Sequence, residues 1–231
     1  MQNNSLFVIT YVVGFKRQIA IGDIHGCYDV TVELVEKVVC FDPGSDQLIF
    51  IGDYIDRGPD SKKVVSYVSA LKNKYPQQIV LLAGNHEYLA LEAFKLRTTN
   101  HVQLWFINGG ISTIQSYGSY EAAQSALVPF VETLEFYYET EDFIFVHGGI
   151  PIGDTVTTAT PKSLLWERNY AIYHGKSAIV GHTPHKKVHK YKHAIVIDTG
   201  AVFYGKLSGY DVVNDKVYEA VDAVIAKNPR G

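Results

Sequence analysis

The sequence predicts an α/β fold, and three observations point to it. Short β-rich runs end in clusters of Gly, Asp and His and lead into stretches with helical spacing, a rhythm that repeats three times in the first hundred residues. That is the mark of βαβ construction. In the second half strand follows strand, which predicts a second, largely antiparallel sheet. Finally, 231 residues suffice to bury one full core, and neither an internal repeat nor a Ser/Gly-rich linker divides the chain. One domain is expected over residues 17–231.

Taken in order, Leu6 to Phe15 is an almost wholly apolar run. No Lys or Arg precedes it, no small-residue cleavage pattern follows it, and a helix needs about 20 residues to cross a bilayer. An extra strand or an extension over residues 1–16 is the expectation. Gln18–Ile21 reads as the first strand and Val30–Val39 as its helix, with Val32, Val35 and Val39 on one face. Leu48–Ile51 and Ser61–Leu71 form the second such pair, and Ile79–Ala83 with a helix through Phe94 the third. Residues 98–140 show no clear strand and read as a helical excursion broken at Asn108-Gly109-Gly110 and Gly118. Strands resume at Phe143–Val146, Ala178–Val180, Ala194–Ile197 and Leu207–Tyr218, the last with a hairpin turn at Asn214-Asp215.

Composition removes several classes of function. With 21 Lys+Arg against 24 Asp+Glu the net charge is -3, so the broad electrostatic attraction on which nucleic-acid polymers rely is missing. Neither a nucleic-acid nor a membrane partner is expected. The two cysteines, Cys27 and Cys40, stand in no C-x-x-C pattern, which signals neither a disulfide scaffold nor a thiolate zinc site and suits a reducing, cytoplasmic setting.

Five motifs stand at the ends of expected strands: Gly22-Asp23-Ile24-His25-Gly26, Gly52-Asp53-Tyr54-Ile55-Asp56-Arg57-Gly58, Gly84-Asn85-His86-Glu87, His147-Gly148-Gly149 and Gly181-His182-Thr183. Loops beyond strand ends are where α/β folds gather their sites, and each motif puts a possible metal ligand beside glycine, which allows close backbone approach. A set of Asp, Asn and His without Cys suits Mn²⁺, Fe²⁺ or Zn²⁺. Asp23 and His25 would point the same way if the chain stays extended there, and would grip one ion together. Asp53 would bridge to a second ion, completed by Asn85, His147 and His182. Two such ions share and acidify a water for attack on phosphorus.

These motifs, in this order, resemble the phosphoprotein phosphatase family of calcineurin-like metallophosphoesterases over residues 17 to about 205. The short bacterial and phage members, lambda-type Ser/Thr protein phosphatases and symmetrical diadenosine tetraphosphatases, are the most similar. The resemblance implies two mixed β-sheets packed as a sandwich with helices outside. It implies two divalent ions, Mn²⁺ foremost with Fe or Zn as alternatives, and direct attack by a metal-bridging hydroxide. Asp23, His25 and Asp53 correspond to the ligands of the first ion, and Asp53, Asn85, His147 and His182 to those of the second. His86 resembles the general acid oriented by Asp56, and Arg57 a phosphate clamp. Leu165-Trp166-Glu167-Arg168 fits the phage-type pattern for a second clamp at Arg168. The expected substrate is a phosphorylated protein or a small phosphoester; a symmetrical dinucleoside tetraphosphate hydrolase and a non-catalytic binding protein are the alternatives. His101, His174, His185, His189 and His193 carry no expected chemistry, and Trp105 reads as a packing residue.

Overall fold

The computed structural model describes residues 14–227, and alternating burial along its strands sets how the layers stack. Strand β1 (Arg17–Ile21) pairs in parallel with β2 (Asp46–Phe50), and β2 with β3 (Ile79–Leu81). Ile19, Ile21, Leu48 and Phe50 face one apolar cluster, Ala20 and Ile49 another. Successive side chains leave opposite faces of a strand, so one sheet buries residues on both sides. Parallel pairing needs crossovers. These are α1 (Tyr28–Val32) with its π-helical continuation Glu33–Val38, and α2 (Ser61–Lys74), whose buried face carries Val64, Val65 and Val68.

After β3 come α3 (Asn85–Leu96), α4 (Thr99–Trp105), a π-helical turn at Phe106–Gly110, α5 (Ile111–Tyr117) and α6 (Tyr120–Val131). The next element is a strand, β4 (Tyr137–Glu139), inside the stretch whose sequence shows none. It carries no apolar–polar alternation; antiparallel pairing with β5 (Phe143–Val146) holds it extended.

The second sheet runs β4–β5–β6–β8–β7, adding β6 (Ser177–Val180), β7 (His189–Lys190) and β8 (Ala194–Val196). It departs from the expected antiparallel arrangement: β5, β6 and β8 are parallel, with antiparallel strands only at the two edges. The long connection from Val146 to Ser177, containing α7 (Pro161–Trp166), returns the chain to the end at which β5 began. The final hairpin forms, as β9 (Lys206–Asp211) and β10 (Lys216–Val221), with Asp215 in the left-handed region at φ 51°. It joins the first sheet, however, through β9 against β1, after the short helix α8 (Ala201–Tyr204).

The two mixed sheets meet across a layer of Ile49, Ile51, Val80, Leu82, Phe145, Ile179 and Ile197. Helices cover the far side of the first sheet, and α7 with its loops covers the far side of the second. The chain closes with α9 (Ala223–Lys227). Of the extension expected at residues 1–16, residues 1–13 lie outside the described residues, and 14–16 form no regular element. No helix among the described residues is long and apolar enough to cross a membrane.

Candidate metal centre

Parallel pairing brings the carboxyl ends of β1, β2 and β3 to one edge of the first sheet, and those of β5, β6 and β8 to one edge of the second. The five motifs sit on these ends and touch across the gap. His147, beyond β5, places Nδ1 2.9 Å from the Ile51 carbonyl beyond β2; Asp23, beyond β1, accepts from the His182 N–H beyond β6 at 3.0 Å. The approach leaves no room for side chains at two glycines. A Cβ on Gly84 would lie 2.1 Å from Asp53 Oδ1, and one on Gly181 2.1 Å from Asp23 Oδ1.

Backbone strain collects at the same place. Eight described non-glycine residues have positive φ, and five of them are His25, Asp53, Asp56, Arg57 and His182. Such conformations persist only where surrounding contacts enforce them, and they cluster at functional sites. The enforcement here is visible. The loop leaving β2 has N–H groups with no ladder partner, and the buried Glu87 carboxylate accepts from Asp53, Tyr54, Ile55 and Gly84 N–H at 2.8–3.2 Å. Burial, followed by the Asp53 charge, pushes the Glu87 carboxyl up to about 8.

The donor set fits divalent cations. His25 and His147 each direct Nδ1 at a backbone carbonyl, Ile55 and Ile51, at 2.9 Å, which fixes the tautomer and leaves Nε2 as an acceptor. Burial lowers both histidines, so they stay neutral, and it takes His182 down to about 2. The lone pair of His147 Nε2 faces Asn85 Oδ1 at 2.9 Å, and His182 Nδ1 is 2.8 Å from the same oxygen while its buried Nε2 has no hydrogen-bond partner. Acceptors that face one another in a dry site call for a cation between them. Two triads of ligand atoms satisfy that geometry, His25–Asp53–His86 and Asp53–His147–His182, and Asp53 belongs to both.

The carboxylates add to the demand. Burial, then Asp198 and Asp53, push Asp23 well above the usual carboxylate range. Burial opposes ionisation of Asp53 too, but the surrounding histidines outweigh it and hold this carboxyl well below its ordinary range. The backbone turns at His25, with φ 47°, because the N–H groups of Ile24 and His25 both bond to the Asp53 carbonyl. Beside this turn both Asp23 oxygens accept from the His182 N–H, at 3.0 and 3.3 Å.

His86, 1% exposed, places Nδ1 2.8 Å from Asp56 Oδ2 and Nε2 4.0 Å from Asp53 Oδ2. Burial would lower it, but Asp53 and Asp56 raise it above its ordinary value. Arg57 is half-buried, donates from Nη1 to His25 Nε2 at 2.6 Å, and stands 5.3 Å over the Phe203 ring. Arg168 is exposed, and its charge is felt at His147, His182 and Asp198. Asp198, buried and held up to about 7 chiefly by burial, was missed by sequence reasoning, although Asp198-Thr199-Gly200 after β8 repeats the strand-end pattern of the five motifs. Outside the centre, His185 and His189 stack at 5.3 Å, and Lys190 pairs with Asp215.

The sequence model described as calcineurin-like phosphoesterase matches residues 16–221. The chain is 30% identical, over 81% of its length and 88% of the relative's, to serine/threonine-protein phosphatase 1 of Salmonella typhimurium. It is 31% identical, over 82% of its length and 86% of the relative's, to an asymmetrical bis(5'-nucleosyl)-tetraphosphatase of Oceanobacillus iheyensis. A solved protein serine/threonine phosphatase from Saccharomyces cerevisiae shares the fold with a TM-score of 0.63, at 18% identity over 89% of this chain and 80% of that one.

Proposed function

Because this chain belongs to the calcineurin-like phosphoesterase family and is a metal-dependent phosphoric-ester hydrolase, we propose that it is a dinuclear phosphomonoesterase acting on phosphoserine and phosphothreonine in proteins. The observation that carries the reading is that Asp53 is shared by two triads of buried ligand atoms. Asp23, His25 and Asp53 hold one ion in this reading, and Asp53, Asn85, His147 and His182 the other. Mn²⁺ is the proposed metal, and Fe or Zn would suit the same Asp, Asn and His donors. When bound, the pair would acidify a water and draw charge from the phosphoryl oxygens.

The chain's own groups supply the rest. Arg57 bonds to His25, the charge of Arg168 is felt at His182, and guanidinium forks match phosphate oxygens in pairs. They hold the substrate phosphate in line. His86 gives the proton on Nε2 to the leaving oxygen as the ester P–O bond breaks, while water supplies the new P–O bond. Asp56 holds the opposite ring nitrogen and keeps the imidazole aimed.

Similarity to the Oceanobacillus iheyensis enzyme favours a second reading, hydrolysis of a dinucleoside tetraphosphate. The same triads serve it. Purified protein loaded with Mn²⁺ is to be assayed on a phosphoserine peptide and on diadenosine tetraphosphate, with chelator-treated protein alongside. Preference for the peptide is expected. Preference for the dinucleotide would replace the substrate, and the products would then tell cleavage to AMP and ATP from symmetrical cleavage to two ADP. Inactivity on both would rule out both substrates and send the search to other phosphate esters.

A further inference from the structure

We propose that Trp105 and Thr113, both from the helical segment that follows α3, are positioning residues for proton donation by His86, acting through Asp56. The inference rests on the phosphoesterase reading above. The Asp56 carboxylate is fully buried, and three side chains from different elements engage it. His86 Nδ1 meets Oδ2 at 2.8 Å. The Trp105 indole N–H donates across both oxygens, at 3.1 Å to Oδ1 and 3.0 Å to Oδ2. The Thr113 hydroxyl donates to Oδ1 at 2.6 Å. Thr113 also reaches the main chain of the same residue, because its Oγ1 accepts from the Asp56 N–H at 2.9 Å.

A carboxylate held only by His86 would be free to turn about its own side-chain bonds. Donors from α4 and α5 occupy its other lone pairs, and charge-assisted bonds of this kind are directional and strong where water is excluded. One orientation of Asp56, and with it one aim of the imidazole, is left. Neither Trp105 nor Thr113 can touch a phosphate ester, since both are 0% exposed beneath the site. They act through Asp56 alone.

The same segment holds the next residue as well. The Arg57 N–H donates to the Gly109 carbonyl at 3.3 Å, so two consecutive positive-φ residues, Asp56 serving the proton and Arg57 the phosphate, are anchored by one stretch of chain. Trp105 does pack, as expected of it, with ring centroids 4.9 Å from Phe94 and 6.3 Å from Tyr120. Packing alone does not require its N–H to straddle the carboxylate that orients His86.

The test uses leaving groups that differ in their need for a proton. Phenyl phosphate expels a poor leaving oxygen, whereas 4-nitrophenolate departs with little help, so a misaimed His86 harms the first substrate far more than the second. The Mn²⁺-loaded enzyme is compared with Thr113→Val, which keeps the shape and removes the hydroxyl, Thr113→Ser, which restores it, Trp105→Phe, and His86→Asn as reference. Thr113→Val is expected to lower kcat on phenyl phosphate by about 10- to 100-fold, the scale of a small misplacement of a catalytic group. On 4-nitrophenyl phosphate kcat should fall by less than about threefold, with KM and metal content unchanged and Thr113→Ser recovering activity. An equal fall on both substrates, or a change in KM alone, would overturn the positioning role. Should Trp105→Phe fail to fold, the Thr113 pair decides the matter. If the unaltered enzyme hydrolyses neither ester, the proposed phosphomonoesterase activity falls, a result distinguishable from failure of the positioning role.

Discussion

Among the described residues Asp53 is common to both triads, so replacing it should disturb both ions at once, whereas His86, which stands in one triad but serves as the proton donor in the proposed function, should be replaceable without emptying either. Asp53→Asn is expected to lose metal at both positions, together with activity. His86→Asn should keep two equivalents of metal and lose about 10²- to 10⁴-fold in kcat, the usual worth of a general acid. Metal analysis of the two purified variants decides it; matching metal contents would refute the division of roles. Glu87 is a different case, because its carboxylate serves the fold of the Asp53 loop by collecting four N–H groups. Glu87→Gln offers one oxygen in place of two and leaves buried donors without acceptors, at about 1–3 kcal/mol for each group left unsatisfied. Urea unfolding should show a loss of that order, and an unchanged midpoint would argue against it. The residues proposed as ligands could be picked out because each stands beside glycine at a strand end. Glu87 was visible only as the last letter of its motif, since three of the four N–H groups it binds lie more than thirty residues away in the chain.

At the scale of elements, what could be read depended on whether a segment's partners are local. β1, β2 and β3 carry their burial in their own alternation or apolar run, and their helices follow directly. β4 does not, because Tyr137 and Tyr138 are half-buried and Glu139 is exposed, so only the pairing with β5 makes a strand of it. The direction of β5, β6 and β8 was misjudged because it is set by the crossover through α7, and the last hairpin because β9 chooses β1 over a nearer neighbour. These pairings decide function, since parallel strands put both His147 and His182 at one edge. Gly181 is where the two edges touch most closely. Gly181→Ala would place a Cβ 2.1 Å from Asp23 Oδ1 and 2.8 Å from Ile51 Cδ1, forcing the β6 end away from the first sheet. Overpacking of this kind costs about 1–3 kcal/mol, and the displaced His182 should bind its ion more weakly. Unchanged urea stability with full metal content would show that the contact relaxes freely.

For the whole molecule, the ligand-bearing loops of two separate sheets are pressed together around groups that repel one another: neutral histidines with converging lone pairs, and the buried carboxylates Asp23, Asp53 and Asp198. The apolar layer between the sheets has to offset that repulsion when no cation is bound, and bound ions should remove it. An ion that binds the folded chain alone stabilises it by about 2.7 kcal/mol at a concentration a hundred times its Kd. Two sites at such concentrations would contribute about 5 kcal/mol, or roughly 10–20 °C in Tm for a chain of this size. Scanning calorimetry of chelator-stripped protein, before and after Mn²⁺ is restored, should show a rise of that order. Two variants separate this coupling from ordinary core stability. Phe145→Ala, in the fully buried layer between the sheets, should lower the Tm of both forms by a similar amount, because its loss of about 3–5 kcal/mol is indifferent to metal. Asp53→Asn should instead erase most of the difference between the two forms while relieving part of the repulsion in the stripped one. If Mn²⁺ leaves the Tm of the unaltered protein where the chelator put it, the two sheets hold their loops together without the ions, and the centre is prepared by the fold alone.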